Sequence, residues 1–311
     1  MSDQAMTCHI TLPGCAYSGG DLQLEYGWVN PERGANPAAP LLVFAHEGLG
    51  SVAMWKSFPQ QLCRALCASG RDVQGLVYSR EGYGQSSCAR STDYDNDKSN
   101  GNGNGKGDCS SPIAWPPSFM HHQAQRVLPA LVQALNESVG APPRPVLLVG
   151  HSDGASIALL AARCMSSVVG VLALSPHTFV EAQTVQAIEQ ARALYDTGRT
   201  QPKGLRSGLA RYHADVDGAF DAWSGVWLSE AFRSWDIRPE LKGMRSACTV
   251  LQGLDDPYGS TAHADSIKAA VPHTCVMYLE HCGHDPHRDA ATQVVHAAQQ
   301  LLALGLDNGS V

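Results

Sequence analysis

The 311-residue chain is poor in charge and lacks the features of several protein classes. Charged residues make up only 16% of it, and the net charge of −7 provides no excess of positive charge, which excludes a nucleic-acid partner on electrostatic grounds. No uninterrupted apolar run approaches the roughly 20 residues that cross a bilayer, so we expect no membrane span.

The pattern of cysteines and of the first residues also predicts neither a disulfide framework nor a secretory signal. The ten cysteines are dispersed, and no C-x-x-C pair is followed by a second pair at zinc spacing. The first residues have neither the positive charge nor the apolar stretch of a secretory signal. We therefore expect free thiols, a cytoplasmic location, and neither a metal nor a cofactor. We expect a small-molecule ester as partner and leave a homo-oligomer open.

Short apolar runs alternate with helical patterns along the chain. This alternation, with runs that are continuously apolar, predicts an α/β fold in which a mostly parallel sheet is flanked by helices. Residues 8–30 are patterned as a hairpin ahead of the parallel strands. The predicted buried strands are Leu41–Ala45, Val73–Tyr78, Val146–Val149, Val168–Leu174, Cys248–Gln252 and Cys275–Leu279.

Two segments interrupt the alternation and suggest a domain organisation. Residues 90–111 are rich in glycine and asparagine and almost free of apolar side chains, which predicts a disordered surface insertion. Residues 177–245 are helical in pattern and lie between two predicted core strands, which predicts an inserted helical cap. The α/β core would then comprise residues 1–176 and 246–311.

The motif Gly150-His151-Ser152-Asp153-Gly154 is the strongest chemical signal in the chain. It follows the apolar run 145–149 and opens a segment rich in small residues that is typical of a helix. In a strand–turn–helix context, G-x-S-x-G forms a sharp turn that exposes the serine hydroxyl. Ser152 is therefore the candidate nucleophile.

A serine nucleophile needs a base, and the base needs an acid that orients it. Two later segments supply both, since Asp255 and Asp256 follow one apolar run and the histidines follow another. The carboxyl ends of parallel strands meet at one sheet edge, so these side chains are expected to converge with Ser152. The candidate bases are His281, His284 and His287.

The order of these motifs, serine then aspartate then histidine, resembles the α/β-hydrolase superfamily. The resemblance implies a serine hydrolase with a catalytic triad. It selects Asp256 over Asp255, because the acid of that family commonly stands three residues after a glycine, here Gly253, and before a proline. It selects His284 because the histidine commonly ends a Gly-His pair. His281 and His287 would then be neighbours of the site.

The same resemblance implies an oxyanion hole made of two backbone N–H groups. One belongs to the residue after the nucleophile, Asp153, and the other to the loop His46-Glu47-Gly48-Leu49, with Gly48 favoured over Leu49. Glu47 replaces the glycine that is usual at its position. It would either structure the loop or contact substrate or water.

Further residues receive supporting roles. His46, His151 and the loop that begins at Arg80 are expected to support the site rather than perform chemistry. Trp223 and Trp227 of the predicted cap, together with Glu47, are the candidate substrate contacts, although cap aromatics more often form the cap's own core.

The functional prediction is hydrolysis of a small or medium-sized carboxylic ester through an acyl-enzyme, and a hydroxyalkanoate oligomer such as one of 3-hydroxybutyrate is a candidate substrate. Two alternatives stay open. One is a C–C bond hydrolase acting on aromatic meta-cleavage products, although the Glu47 and Asp153 motifs depart from that family. The other is a non-catalytic ligand-binding module with the same fold. The sequence does not select among ester substrates.

Overall fold

The computed structural model describes residues 7–29, 36–88 and 115–308, and the insertion predicted at 90–111 lies outside them. Their strands form one eight-stranded sheet in the order β1-β2-β4-β3-β5-β6-β7-β8. Strands β1 and β2 form an antiparallel pair, as the hairpin prediction requires, β2 pairs antiparallel with β4, and the other neighbours are parallel. The strands are β1 (Thr7–Leu12), β2 (Leu22–Val29), β3 (Leu41–Ala45), β4 (Gln74–Tyr78), β5 (Val146–His151), β6 (Val168–Leu174), β7 (Ala247–Gly253) and β8 (Cys275–Leu279).

Helices cover both faces of this sheet, which confirms the predicted α/β fold class. They are α1 (Phe58–Ala68), α2 (Phe119–His122), α3 (Leu128–Ser138), α4 (Asp153–Ala161), α5 (Ala182–Thr197), α6 (Leu205–Leu209), α7 (Val216–Leu228), α8 (Arg238–Leu241), α9 (Ala262–Ala270), α10 (Pro286–Asp289) and α11 (Ala291–Asn308). Short 3₁₀ turns occupy Val52–Trp55 and Glu230–Phe232, and a π-helical stretch, Gln123–Val127, joins α2 to α3.

The apolar core has two layers separated by the sheet. Side chains of α1 and α11 pack on one face, and those of α3, α4 and the cap-region helices contribute to the cluster on the other. Strand β3 is buried along its whole length, as expected for a strand covered on both faces. Strand β8 is different, because it lies at the sheet edge and several of its side chains are exposed or half-buried despite their apolar pattern.

Helices α5 to α8 all lie between β6 and β7 in the chain, in the region expected to form the cap. In the described parts of the chain, no helix is both long enough and apolar enough to cross a membrane.

Candidate active site

Ser152 lies at the junction of β5 and α4 in a strained backbone conformation. Its φ of 54° and ψ of −119° place it in a region that non-glycine residues rarely adopt. The flanking glycines allow this turn because neighbouring backbone atoms pack where their side chains would be. A Cβ on Gly154 would lie 2.0 Å from the carbonyl oxygen of Ala45, and one on Gly150 would lie 2.4 Å from that of Gly154. The motif thus produces the sharp turn at β5 by excluding side chains on both sides of the serine.

The imidazole of His284 is paired with Asp256 and not with Asp255. Nδ1 of His284 lies 2.8 Å from Oδ2 and 2.9 Å from Oδ1 of Asp256. Asp255 is exposed, as is His281. Because β5, β7 and β8 run parallel, the segments that follow them carry Ser152, Asp256 and His284 to the same sheet edge.

The carboxylate of Asp256 is held by several donors. Its Oδ1 accepts hydrogen bonds from the backbone N–H groups of Tyr258 and Gly259, at 2.8 and 3.3 Å, and its Oδ2 accepts one from Gln252 at 2.9 Å. Burial acts to raise the pKa of Asp256, but the hydrogen bond and charge of His284 and the Tyr258 N–H outweigh it and lower that pKa to about 2. Asp256 is therefore an anion at neutral pH, fixed in the position that orients the imidazole.

The two backbone N–H groups expected to form an oxyanion hole are both available. Among the described residues, no acceptor receives a hydrogen bond from the N–H of Gly48 or from that of Asp153. A Cβ on Gly154 would also lie only 2.6 Å from the carbonyl oxygen of His46, so the first turn of α4 packs closely against the start of the Gly48 loop. This packing brings the two segments that bear the donors together.

The loop that carries Gly48 is fixed by buried polar groups. Nδ1 of His46 lies 2.7 Å from the carbonyl oxygen of Glu47, and its Nε2 accepts a hydrogen bond from the Arg80 N–H at 2.9 Å. The Arg80 guanidinium donates to the same Glu47 carbonyl at 2.8 Å. It also lies 3.7 Å from the carboxylate of Asp153. Burial raises the pKa of Asp153, and the charge of Arg80 offsets only part of that rise. His46 and Arg80 therefore connect the β3 and β4 loops with the start of α4.

Glu47 points towards a histidine network behind the nucleophile. Its Oε2 lies 3.5 Å from Nδ1 of His151, and Nε2 of His151 donates to the carbonyl oxygen of His284 at 2.7 Å. His151, Asp285 and His287 place possible metal-ligand atoms within 4.8 Å of one another. However, Nε2 of His151 is already used by the carbonyl of His284, and its Nδ1 faces the Glu47 carboxylate without a hydrogen bond. The arrangement is that of a buried polar network that connects three loops.

The cap region contacts each of the loops that carry the site. The imidazole of His213 lies 2.9 Å from the carbonyl oxygen of Leu49, and Gln183 donates to the carbonyl oxygen of Asp256 at 2.8 Å. Ser152 itself is buried, at 6% exposure.

Helix α7 presents two tryptophans to the candidate oxyanion loops. Nε1 of Trp227 donates to Oδ1 of Asp153 at 3.2 Å. The indole of Trp223, one helical turn earlier, lies against Gly48, where a Cβ would come within 2.2 Å of Nε1. The two predicted substrate contacts therefore cover the two residues expected to supply the oxyanion donors.

Sequence reasoning missed His177 as a residue of the site. Its ring lies 5.8 Å from that of His284 and 5.0 Å from that of Trp227, and burial lowers its pKa well below the usual value, so it is neutral. The available signal was its position three residues after β6, at the same sheet edge as the other candidates.

The comparisons with known proteins agree with this architecture. Residues 42–298 match the alpha/beta hydrolase family. Three solved structures share the fold at 15–16% sequence identity. A bacterial membrane phospholipase A described as a virulence factor has a TM-score of 0.63 and covers 97% of this chain and 87% of its own. An esterase from Rhodococcus sp. ECU1013 has a TM-score of 0.61 (95% of this chain, 98% of its own), and the enol-lactonase from Burkholderia xenovorans LB400 has a TM-score of 0.59 (91% of this chain, 97% of its own). The search of curated proteins gave no match. Because the family match spans well over half of the sequence, the chain belongs to the alpha/beta hydrolase family.

Proposed function

We propose that this protein is a serine hydrolase that cleaves a small or medium-sized carboxylic ester through an acyl-enzyme. The observation that carries the proposal is the strained Ser152 at a strand–helix turn, at the same sheet edge as a His284–Asp256 pair joined at 2.8 Å. A serine with an ordinary surface role would not require this backbone conformation.

In the proposed mechanism, Ser152 attacks the ester carbonyl while His284 takes its proton and Asp256 stabilises the imidazolium. The N–H groups of Gly48 and Asp153 bind the developing oxyanion, a contribution worth about 3 kcal/mol per donor in such sites. His284 then protonates the departing alcohol. A water activated by the same imidazole releases the acyl group and restores Ser152.

The proposed bond type draws on the relatives as well as on the site. The Rhodococcus protein is described as an esterase and the Burkholderia protein as an enol-lactonase, and both names denote hydrolysis of an ester bond. The enclosure of Ser152 beneath α7 favours small substrates over polymer chains. Short oligomers of a hydroxyalkanoate such as 3-hydroxybutyrate satisfy both conditions and are our candidate substrates.

Hydrolysis of p-nitrophenyl esters from acetate to decanoate tests the proposal. We expect turnover to be highest for short acyl chains and nearly abolished in Ser152→Ala, with folding retained. Asp256→Asn should lower kcat by about 10³–10⁴-fold, because the imidazole loses its orientation, whereas the matched variant Asp255→Asn should stay within about twofold of wild type. Near-wild-type turnover in Ser152→Ala would overturn the mechanism.

Labelling with a fluorophosphonate probe gives an independent readout that does not depend on the choice of ester. An activated serine reacts with the probe, and the Ser152→Ala variant should not. A wild-type protein that neither reacts with the probe nor hydrolyses any ester of the series would indicate a non-catalytic module.

A further inference from the structure

The two tryptophans of α7 differ in how their indole N–H groups are used. Nε1 of Trp227 donates to Asp153 at 3.2 Å. Trp223 is nearly buried, at 8% exposure, yet within the described residues nothing accepts a hydrogen bond from its Nε1. Unlike the indole nitrogens of Trp55 and Trp235, this nitrogen is not fully enclosed, so the unpaired donor can be reached by a bound molecule.

The free donor lies beside the proposed oxyanion hole. The nitrogen edge of Trp223 is the part of the indole closest to Gly48, as the 2.2 Å approach of a Cβ at that position shows. The ester carbonyl oxygen already has two donors in the proposed mechanism, the N–H groups of Gly48 and Asp153. A third donor beside them therefore serves a different oxygen of the substrate.

His177 is a second polar group at this site without a protein partner. Its ring is 2% exposed and packs against Trp227 and His284, and its Nδ1 is enclosed with no hydrogen-bond partner among the residues described. A plain alkyl acyl group would leave the Trp223 N–H unpaired. An acyl chain that carries an oxygen could accept a hydrogen bond from it.

We propose that Nε1 of Trp223 donates a hydrogen bond to an oxygen on the acyl chain, and that the preferred substrates are therefore esters of short hydroxy or oxo acids. The indole N–H only donates, so the substrate must offer an acceptor such as a hydroxyl, keto or carboxylate oxygen. This inference rests on the proposed function, since it places the acyl group between Gly48 and Asp153.

The test compares esters of equal chain length in wild type and Trp223→Phe, which keeps an aromatic ring and removes the N–H. Wild type should prefer ethyl 3-hydroxybutyrate and ethyl acetoacetate over ethyl butyrate in kcat/KM. In Trp223→Phe that preference should fall about fivefold, the loss expected for one neutral hydrogen bond.

Trp235→Phe is the matched control. Its indole nitrogen is fully enclosed and without a partner in the part of the chain that the structure describes, and its ring stacks on Phe232. The preference for oxygenated esters should be unchanged in this variant. An equal fall in Trp235→Phe would show that loss of an indole anywhere in the cap region causes the effect, and would overturn the assignment to Trp223.

The remaining outcomes separate this inference from the proposed function. If Trp223→Phe lowers kcat/KM equally for all three esters, Trp223 serves the carbonyl oxygen or packing alone, and the subsite is wrong while the hydrolase stands. A wild-type measurement needs no variant: 3-hydroxybutyrate should inhibit at a lower concentration than butyrate, and the reverse order contradicts the subsite. Failure of fluorophosphonate labelling together with absent ester hydrolysis would overturn the proposed function itself.

Discussion

Replacement of Glu47 by glutamine probes the buried pair behind the nucleophile. The carboxylate of Glu47 lies 3.5 Å from Nδ1 of His151, with the two side chains 21% and 1% exposed. Nε2 of His151 carries the proton that it donates to the carbonyl of His284. Nδ1 then faces a carboxylate, an arrangement that is favourable when the ring is protonated at both nitrogens. Below the raised pKa of His151, the pair is thus a carboxylate and an imidazolium.

The pKa shifts of the pair define the pH range in which it stabilises the fold. Burial alone would lower the pKa of His151, but the facing carboxylate of Glu47 outweighs it and raises that pKa. Burial likewise opposes the lowering of the Glu47 pKa that His151 causes. The His151 contribution is complete below its unfolded pKa of about 6.5 and is lost as pH rises through the folded value. The Glu47 contribution is present above about pH 4.3 and is lost on acidification.

We expect Glu47→Gln to destabilise the protein by about 2 kcal/mol near pH 6. Removing one partner of a fully buried pair costs about 3–5 kcal/mol. The cost is smaller here because the 3.5 Å separation is longer than a charge-assisted hydrogen bond and Glu47 is one-fifth exposed. A loss of this size corresponds to a fall in Tm of about 4 °C for a chain longer than 250 residues.

Denaturant unfolding of wild type, Glu47→Gln, His151→Gln and the double variant measures the coupling of the pair directly. The coupling free energy should be largest at pH 5.5 and should fall as the pH rises through the raised pKa of His151, where the ring loses its charge. A coupling near zero at pH 5.5, or one that increases with pH, would refute the assignment of an ion pair.

Two further substitutions test the packing around the site. Gly48→Ala should lower the free energy of unfolding by about 1–3 kcal/mol and kcat/KM by at least about tenfold, because the added Cβ collides with Trp223. Thermal melts measure the first effect and ester kinetics the second. A variant with unchanged stability and activity would contradict the contact. His287 is buried between Trp55 and Phe58, and burial is the main cause that lowers its pKa to about 3. Its neutral form stabilises the fold above about pH 6.5, and this contribution is lost on acidification. His287→Phe should therefore lose less stability than wild type between pH 7 and pH 5, and parallel pH profiles would argue against a neutral buried ring.

The strands could be predicted from the sequence with little error where burial is uniform. Leu41–Ala45 and Val168–Leu174 have the predicted bounds, because continuous apolar runs between turn residues mark buried parallel strands. Cys275–Leu279 also has the predicted bounds, although it is not uniformly buried. The exposure of β8 was not foreseen. An edge position depends on the order of the strands, which no local pattern records.

In the candidate site, too, some features could be predicted from the sequence and others depend on the packed fold. The sequence by itself determined the turn at Ser152 and the placement of Asp256 and His284 after parallel strands, because glycine spacing and strand ends are local properties. Only the tertiary structure decided that Trp227 binds Asp153, 74 residues away, while Trp223 keeps a free N–H beside Gly48, and that Glu47 faces His151. These partners are distant in the chain and depend on how α7 and the loops pack at the sheet edge, so their contacts follow from the packed fold and not from any segment alone.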